Sequence, residues 1–229
     1  MQAATGKRVL DEVEETNLEE VLNSLRAALP GPCSPSRPGA PLKPTHMDEL
    51  DGVAARHLRD TLAPTLTVAG RSLPLLYKLV STLVSPPHRH AVLVVDADGR
   101  FDATRLACEG GDDDLRHVYV RRCSPEQLRA VVADAEGFML YRAASRDRQW
   151  WGTVVIPGAG RGDLGPGVGD VVGAGWKGWL RVDRDRVPPF AVGLGLDEAL
   201  AERDARQRAV DAAGWAATSP WGGFVFHDG

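Results

Sequence analysis

Residues 90–96 (HAVLVVD) constrain the fold of this chain more than any other stretch. The run is apolar without alternation and ends in Asp96. A strand with one wet face alternates apolar and polar residues, whereas a strand covered on both faces does not, and such strands belong to parallel sheets flanked by helices. The neighbouring segments fit that frame. Residues 65–69 (TLTVA) are a short β-branched strand, 73–84 (LPLLYKLVSTLV) an apolar helix, 102–108 a short helix and 117–121 (HVYVR) a strand. Ser124-Pro125-Glu126-Gln127 is a capping box with proline at the first helical position, and it opens a helix to about residue 135. Residues 151–156 (WGTVVI) are another strand. Strand and helix alternating at this spacing predict an α/β fold with a mostly parallel sheet, right-handed crossovers and helices on both faces.

Upstream, a helix fits residues 47–62, and a separate amphipathic helix fits the first 29 residues. Leu18, Val21, Leu22 and Leu25 give that first helix an apolar stripe. Between the two lies PGPCSPSRPGAPLKP, residues 30–44, where proline and glycine forbid a helix or a central strand. The expected organisation is an N-terminal helix (1–29), a Pro-rich linker (30–47) and an α/β core (48–229). An apolar stripe held off the core by a linker suits docking on a partner, with packing back on the core as the alternative. After residue 156 the character changes. Residues 157–175 carry eight glycines in nineteen residues and are expected to be loop. Residues 176–182 (WKGWLRV) are a strand, Asp197 caps a helix to about residue 213 closed by Gly214, and 224–226 (FVF) form a last strand.

Composition excludes several classes. Hydrophobic residues at 43% and charged residues at 25% are those of a globular chain. A net charge of −4 excludes a globally basic nucleic-acid binder and leaves room for a local basic face. No apolar run approaches the ~20 residues that span a bilayer, and residues 1–10 lack a secretory core, so no membrane association is expected. Three cysteines without a CxxC pair suggest a reducing compartment.

In a doubly wound sheet, the ligand corner is the turn from the first strand into the first helix. That turn is only Gly70-Arg71-Ser72. A phosphate-cradling loop needs GxxxxGK[ST], whose glycines let successive N–H groups face the phosphates. This turn keeps the outline of the last three letters, G-R-S for G-K-T, without the loop before them, and Pro74 removes a further donor. A Mg²⁺-holding aspartate at the end of a buried strand is also missing, because residues 153–156 run into Pro157. Neither nucleotide hydrolysis nor a cofactor is expected.

AVLVVDADGRFDATRL, residues 91–106, resembles the segment after the P-loop helix in RecA-family recombinases and their eukaryotic paralogs. In that family the second acidic residue of the segment polarises the attacking water, and the matching residue is Asp98. GRSLPLLYKL (70–79) resembles the paralogs' GKTQLLYYL-type helix, with one residue inserted. WKGWLRVDR (176–184) and GGFVFHDG (222–229) resemble late strands of the same core. The resemblance covers about residues 65–229 and is closest to small fungal paralogs of Shu-type mediator complexes. It implies a RecA-like, P-loop NTPase-type core with a degenerate P-loop, and a degenerate nucleotide site at Gly70, Arg71, Ser72, Asp96 and Asp98. It further implies a non-enzymatic, nuclear subunit that assembles with other paralogs in homologous-recombination DNA repair and supports the recombinase filament on single-stranded DNA. The alternative is a nucleotide-binding subunit that contributes Arg71, Ser72 and Asp98 to a composite ATP site at a subunit interface.

Two further groups carry expectations. Asp96 and Asp98 are either a carboxylate pair or residues that cap the turn at Gly99 and the next helix. Arg142, Arg146, Arg148 and Arg161, with Trp150 and Trp151, flank the glycine-rich segment and suit phosphate contact and base stacking on single strands, or else are solvated arginines beside core tryptophans. The histidines at 88, 90 and 117 and the cysteines at 108 and 123 fit no closed zinc pattern, and no metal is expected.

Overall fold

The computed structural model describes residues 42–141, 147–157, 171–187, 193 and 195–227. The chain divides after Ser34, and every described residue belongs to the unit Pro35–Gly229. The helix expected over residues 1–29, with Leu18, Val21, Leu22 and Leu25, lies outside the described residues, as does most of the linker.

The elements, in chain order, are α1 (Asp48–Thr61), β1 (Leu66–Gly70), α2 (Leu73–Val84), β2 (Ala91–Asp96), a 3₁₀ turn (Ala103–Arg105) and α3 (Asp112–Leu115). They continue with β3 (Val118–Arg122), α4 (Leu128–Tyr141), β4 (Trp150–Ile156), β5 (Val171–Ala174), β6 (Leu180–Arg184), α5 (Leu196–Ala201), α6 (Arg203–Ala212), β7 (Trp215–Ser219) and β8 (Gly222–Phe226). One eight-stranded sheet has the order β3-β2-β4-β5-β1-β6-β7-β8. The pairs from β3 through to β6 are parallel, and β6–β7 and β7–β8 are antiparallel. The mostly parallel α/β sheet expected from residues 90–96 is therefore present.

Every residue of β2 is buried. Val92 and Val94 join Val154 and Ile156 of β4 under α1 and α2, whereas Ala91, Leu93 and Val95 join Val155 under α4. Helix α1 earns its place through Leu50, Val53, Ala54 and His57, one face of a 3.6-residue repeat. Acids Asp48, Glu49 and Asp51 sit in its first turn, where they favour the helix dipole. Helix α2 is apolar nearly all round, and its buried residues run from Pro74 to Val84.

Several elements differ from expectation. The glycine-rich stretch 157–175 is not loop throughout: Val171–Ala174 form β5, a central strand between β4 and β1. Four residues suffice for a strand hydrogen-bonded on both sides, and the glycine count masks so short an apolar run. The strand expected over 176–182 begins only at Leu180. Before it, the chain crosses β1 from β5 to β6, and this is short because the flanking strands are staggered: Ala174 and Leu180 both lie level with Val68. Gly178 lies directly on the β1 backbone, and a Cβ there would come within 2.7 Å of the Thr67 carbonyl oxygen. Only glycine fits.

The helix expected with Asp197 as its cap starts two residues earlier, with Gly195 as N-cap and its N–H donated to Glu198 Oε2 at 3.1 Å, and it breaks at Glu202 into α5 and α6. Helix α4 begins at Leu128, because Gln127 N–H closes a turn on the Ser124 carbonyl (3.1 Å), and it runs on to Tyr141. The helix expected at 102–108 is a single 3₁₀ turn. Strand β7 was not expected at all; Ala216 and Ala217 in its middle give it little strand character, and pairing with β6 and β8 on both sides imposes it.

Candidate functional site

In a parallel sheet the ligand edge is the one at the carboxyl ends of the strands. Here it is formed by the ends of β1, β2 and β4. Gly70 closes β1 with φ +76°, a conformation that favours glycine. A Cβ on Gly70 would lie 2.5 Å from the Val182 carbonyl oxygen of β6. That same carbonyl accepts the Arg71 N–H at 2.7 Å. A phosphate cradle depends on free N–H groups at this turn, and the neighbouring strand has taken this one. Ser72 is buried and already helical, makes no side-chain cap, and passes its carbonyl to Leu76 N–H (3.0 Å). The Arg71 side chain is exposed. Pro74 contributes no donor. The corner is closed by backbone, and Val182, which closes it, could not be found from sequence because its role depends on the β1–β6 register.

Asp96 ends β2 fully buried, and its carboxylate is occupied by three amides. Oδ1 accepts from Asp98 N–H (3.0 Å) and Gly99 N–H (2.9 Å), and Oδ2 accepts from Phe101 N–H (2.8 Å). Asp98 turns outward into an ion pair with Arg100. The two carboxylates therefore do not form an acid/base pair. Of the two expectations, the geometry matches turn capping. The next stretch is held from α2: the Tyr77 hydroxyl accepts Asp102 N–H (3.1 Å), and Ser81 Oγ and Ser85 Oγ accept Ala107 and Glu109 N–H at 3.1 Å each. No sequence signal marks these hydroxyls beyond their being polar residues in an apolar helix.

At β4, the Ile156 carbonyl accepts Ala97 N–H (2.8 Å), and buried Pro157 follows. Among the described residues β4 itself ends without a carboxylate.

The expected single-strand face does not assemble as drawn. Arg148 is a correction. Its side chain is 4% exposed, and it donates to the Val84 carbonyl (2.8 Å) and to Asp114 Oδ1 (3.0 Å). Asp114, itself buried, accepts Gly110 N–H through Oδ2 (2.8 Å). A guanidinium enclosed in this way cannot neutralise a phosphate in solvent; it joins the end of α2 to α3. Trp151 is a second correction. It is buried, with its indole N–H on the Pro44 carbonyl (2.8 Å), so it offers no stacking surface. Trp150 is half-buried against the α4-side core, and its N–H goes to the Gly152 carbonyl (2.9 Å). Arg148 also precedes β4, whereas Pro157 follows it, so the two lie at opposite ends of a strand about 20 Å long. Arg142, Arg146 and Arg161 lie outside the described residues.

The other tryptophans mostly pack. His57 stacks on Trp179 (centroids 4.2 Å) and meets Trp221 edge-on (4.5 Å), while Trp215 is buried beneath Arg184. Trp176 alone is strongly exposed, capped by Lys177 at 4.8 Å. Cys108 and Cys123 are free thiols, and burial pushes both above their ordinary pKa, with Asp114 and Asp96 respectively adding to it. Both are therefore poor nucleophiles. Among the described residues no group of three or more His, Cys, Asp or Glu side chains could hold a metal ion.

No protein-family model and no curated protein matches the chain.

Proposed function

We propose that the chain is a non-catalytic recombinase paralog with a RecA-like core. On this reading it is a nuclear subunit of a paralog complex that supports the recombinase filament on single-stranded DNA during homologous-recombination repair. Support for the core comes from strand order. In the dinucleotide-binding order 3-2-1-4-5-6 the second strand lies beside the first; here β4 and β5 stand between β1 and β2, an order that departs from that arrangement and is compatible with a RecA-like core. The stretch AVLVVDADGRFDATRL, read as the strand and turn after the P-loop helix, falls on β2 and the Asp96 turn of this sheet.

The observation that carries the non-catalytic reading is the Arg71 N–H held on the Val182 carbonyl at 2.7 Å in a three-residue turn. With that donor engaged, Gly70 pressed on the same oxygen and Pro74 in the next turn, the corner has no cradle for a triphosphate. The work of the subunit is then interface burial, with Arg142, Arg146 and Arg161 left as the contacts to single strands.

Calorimetric titration of the chain with ATP and Mg²⁺ tests this. The expected outcome is no measurable heat of binding. A micromolar dissociation constant abolished by Arg71→Ala would overturn it in favour of a composite nucleotide site. Purification from native cells with identification of the bound proteins tests the assembly, and recovery without any recombinase paralog would refute it.

A further inference from the structure

Residues 43–47, which lead into α1, are strapped to the molecule from several sides. Lys43 Nζ donates to the Trp151 carbonyl (2.9 Å), and the Trp151 indole N–H donates to the Pro44 carbonyl (2.8 Å). Thr45 N–H and Oγ1 both donate to Asp51 Oδ1 (2.8 and 2.7 Å), and His46 N–H donates to Oδ2 (3.1 Å). These bonds hold His46 at φ +60°, a left-handed conformation uncommon for a non-glycine residue. They also lay its ring flat on His88, with centroids 3.7 Å apart and planes 18° from parallel, and His90 lies beyond at 5.6 Å and 20°. Among the described residues, His46 Nε2 is the one buried side-chain polar atom without a hydrogen-bond partner.

We propose that His46, His88 and His90 form a proton-operated clasp, closed when the rings are neutral and released when they are protonated. Two neutral imidazoles can stack at 3.7 Å. Two imidazolium ions cannot, since like charges at that separation repel even through a water-like medium. A proton added at His46 Nε2 would also need an acceptor that the site does not offer. Other charged groups reach the same place. Asp48, Glu49 and His227 line a groove with His46, and Lys78 of α2 lines both that groove and the one that holds His88. Arg105 and Glu109 line the His88 groove too, and Arg89 stands between His88 and His90. Asp48, Glu49 and Glu109 are exposed, so solvent screens their pull on a histidine proton. For His88 the dominant effects are burial and the facing His46, and both lower its pKa; for His90 burial leads, the Gln149 carbonyl opposes it, and His88 adds a further lowering.

The sign follows from linkage. An open strap leaves His88 and His90 near the ordinary value of about 6.5, whereas the closed strap holds both lower. The closed state is therefore fully favoured above about pH 6.5 and loses stability as pH falls through the lowered values. Release would uncover the Trp151 indole and the backbone at the start of β4.

Amide hydrogen exchange of the full chain tests the clasp, read over residues 42–50 at pH 7.5 and pH 5.0 and corrected for intrinsic chemical rates. Protection at Thr45 and His46 should fall at least severalfold at the lower pH. In His88→Phe, which keeps an aromatic partner for His46 and cannot be charged, the fall should be under about twofold. Equal protection of the wild-type chain at both pH values would overturn the proposal, as would an equal fall in His88→Phe. A histidine titration by NMR needs no variant: His88 and His90 should both titrate below free histidine, and transitions of both near 6.5 would also overturn the proposal.

Discussion

The two halves of the sheet solve different problems. From β3 to β1 the strands are parallel, and the central ones are covered on both faces, so that all six residues of β2 are buried. From β6 to β8 the last strands are antiparallel, and one face is dry while the other is wet. Leu180, Val182, Trp215, Ala217 and Phe226 point into the core, and Arg181, Thr218, Gly223 and Val225 alternate with them into solvent. In the central strands of the parallel half no face is left for function, so chemistry there is confined to strand ends. Those ends are occupied by the chain itself: Asp96 by three amides, Arg71 N–H by a carbonyl, Arg148 by Asp114. The antiparallel half keeps a polar face, with Arg181 paired to Asp183 at 2.6 Å in the open.

The largest expected effect comes from breaking a strand end in the parallel half. Arg148→Met removes the cation and leaves the Asp114 carboxylate buried without its partner. Removing one member of a buried ion pair costs about 3–5 kcal/mol. Urea unfolding should show that loss as a lower midpoint at unchanged slope. The double variant Arg148→Met with Asp114→Asn should recover a large part, since the amide oxygen still accepts Gly110 N–H and no charge is stranded. If the single variant were as stable as the wild type and bound single-stranded DNA less well, the enclosed position of Arg148 would be wrong and its place on the DNA face restored.

Next in size is the interior of the same half. Leu93 is fully buried on the α4 side of β2. Leu93→Ala should destabilise by about 3 kcal/mol, within the 2–5 kcal/mol seen for core leucines where the surroundings relax only in part. A loss under about 1 kcal/mol would mean that α4 does not seal that face, and the contrast between the halves would weaken.

The same contrast explains what was legible in sequence. Strand β2 and helix α2 could be read to within a residue because burial on two faces leaves an unbroken apolar signature, and the one polar residue, Asp96, marks the strand end. The closed corner was half legible: the length of the Gly70-Arg71-Ser72 turn excluded a phosphate loop, but its plug, Val182, becomes a neighbour only through register. Strand β5 was hidden by glycines that a chain-local count assigns to loop, and β7 by its two central alanines, of weak strand preference, which two neighbours hold in place. Arg148 illustrates the commonest failure. An arginine near other arginines and tryptophans looks like a nucleic-acid contact, and only the fold shows that α2 ends beside it with a free carbonyl and that α3 brings an aspartate. The histidine stack had no sequence signal either, since His46 lies more than forty residues from His88.

The smallest effect is expected where the antiparallel half faces water. Val225 is 50% exposed on β8, opposite Ala216 of β7, between neighbours Phe224 and Phe226 that point the other way. Val225→Lys should change stability by no more than about 0.5 kcal/mol, as surface substitutions do. For a chain of this size that is a shift in melting temperature of about 1–2 °C. Lysine on an outer strand also discourages strand-to-strand association, so the variant should stay at least as soluble as the wild type. Thermal unfolding of the two chains side by side is the measurement. A drop of about 5 °C or more would mean that Val225 lies under a layer contributed by α5 and α6. The second half of the sheet would then be covered on both faces like the first, and the difference between the halves would reduce to strand direction.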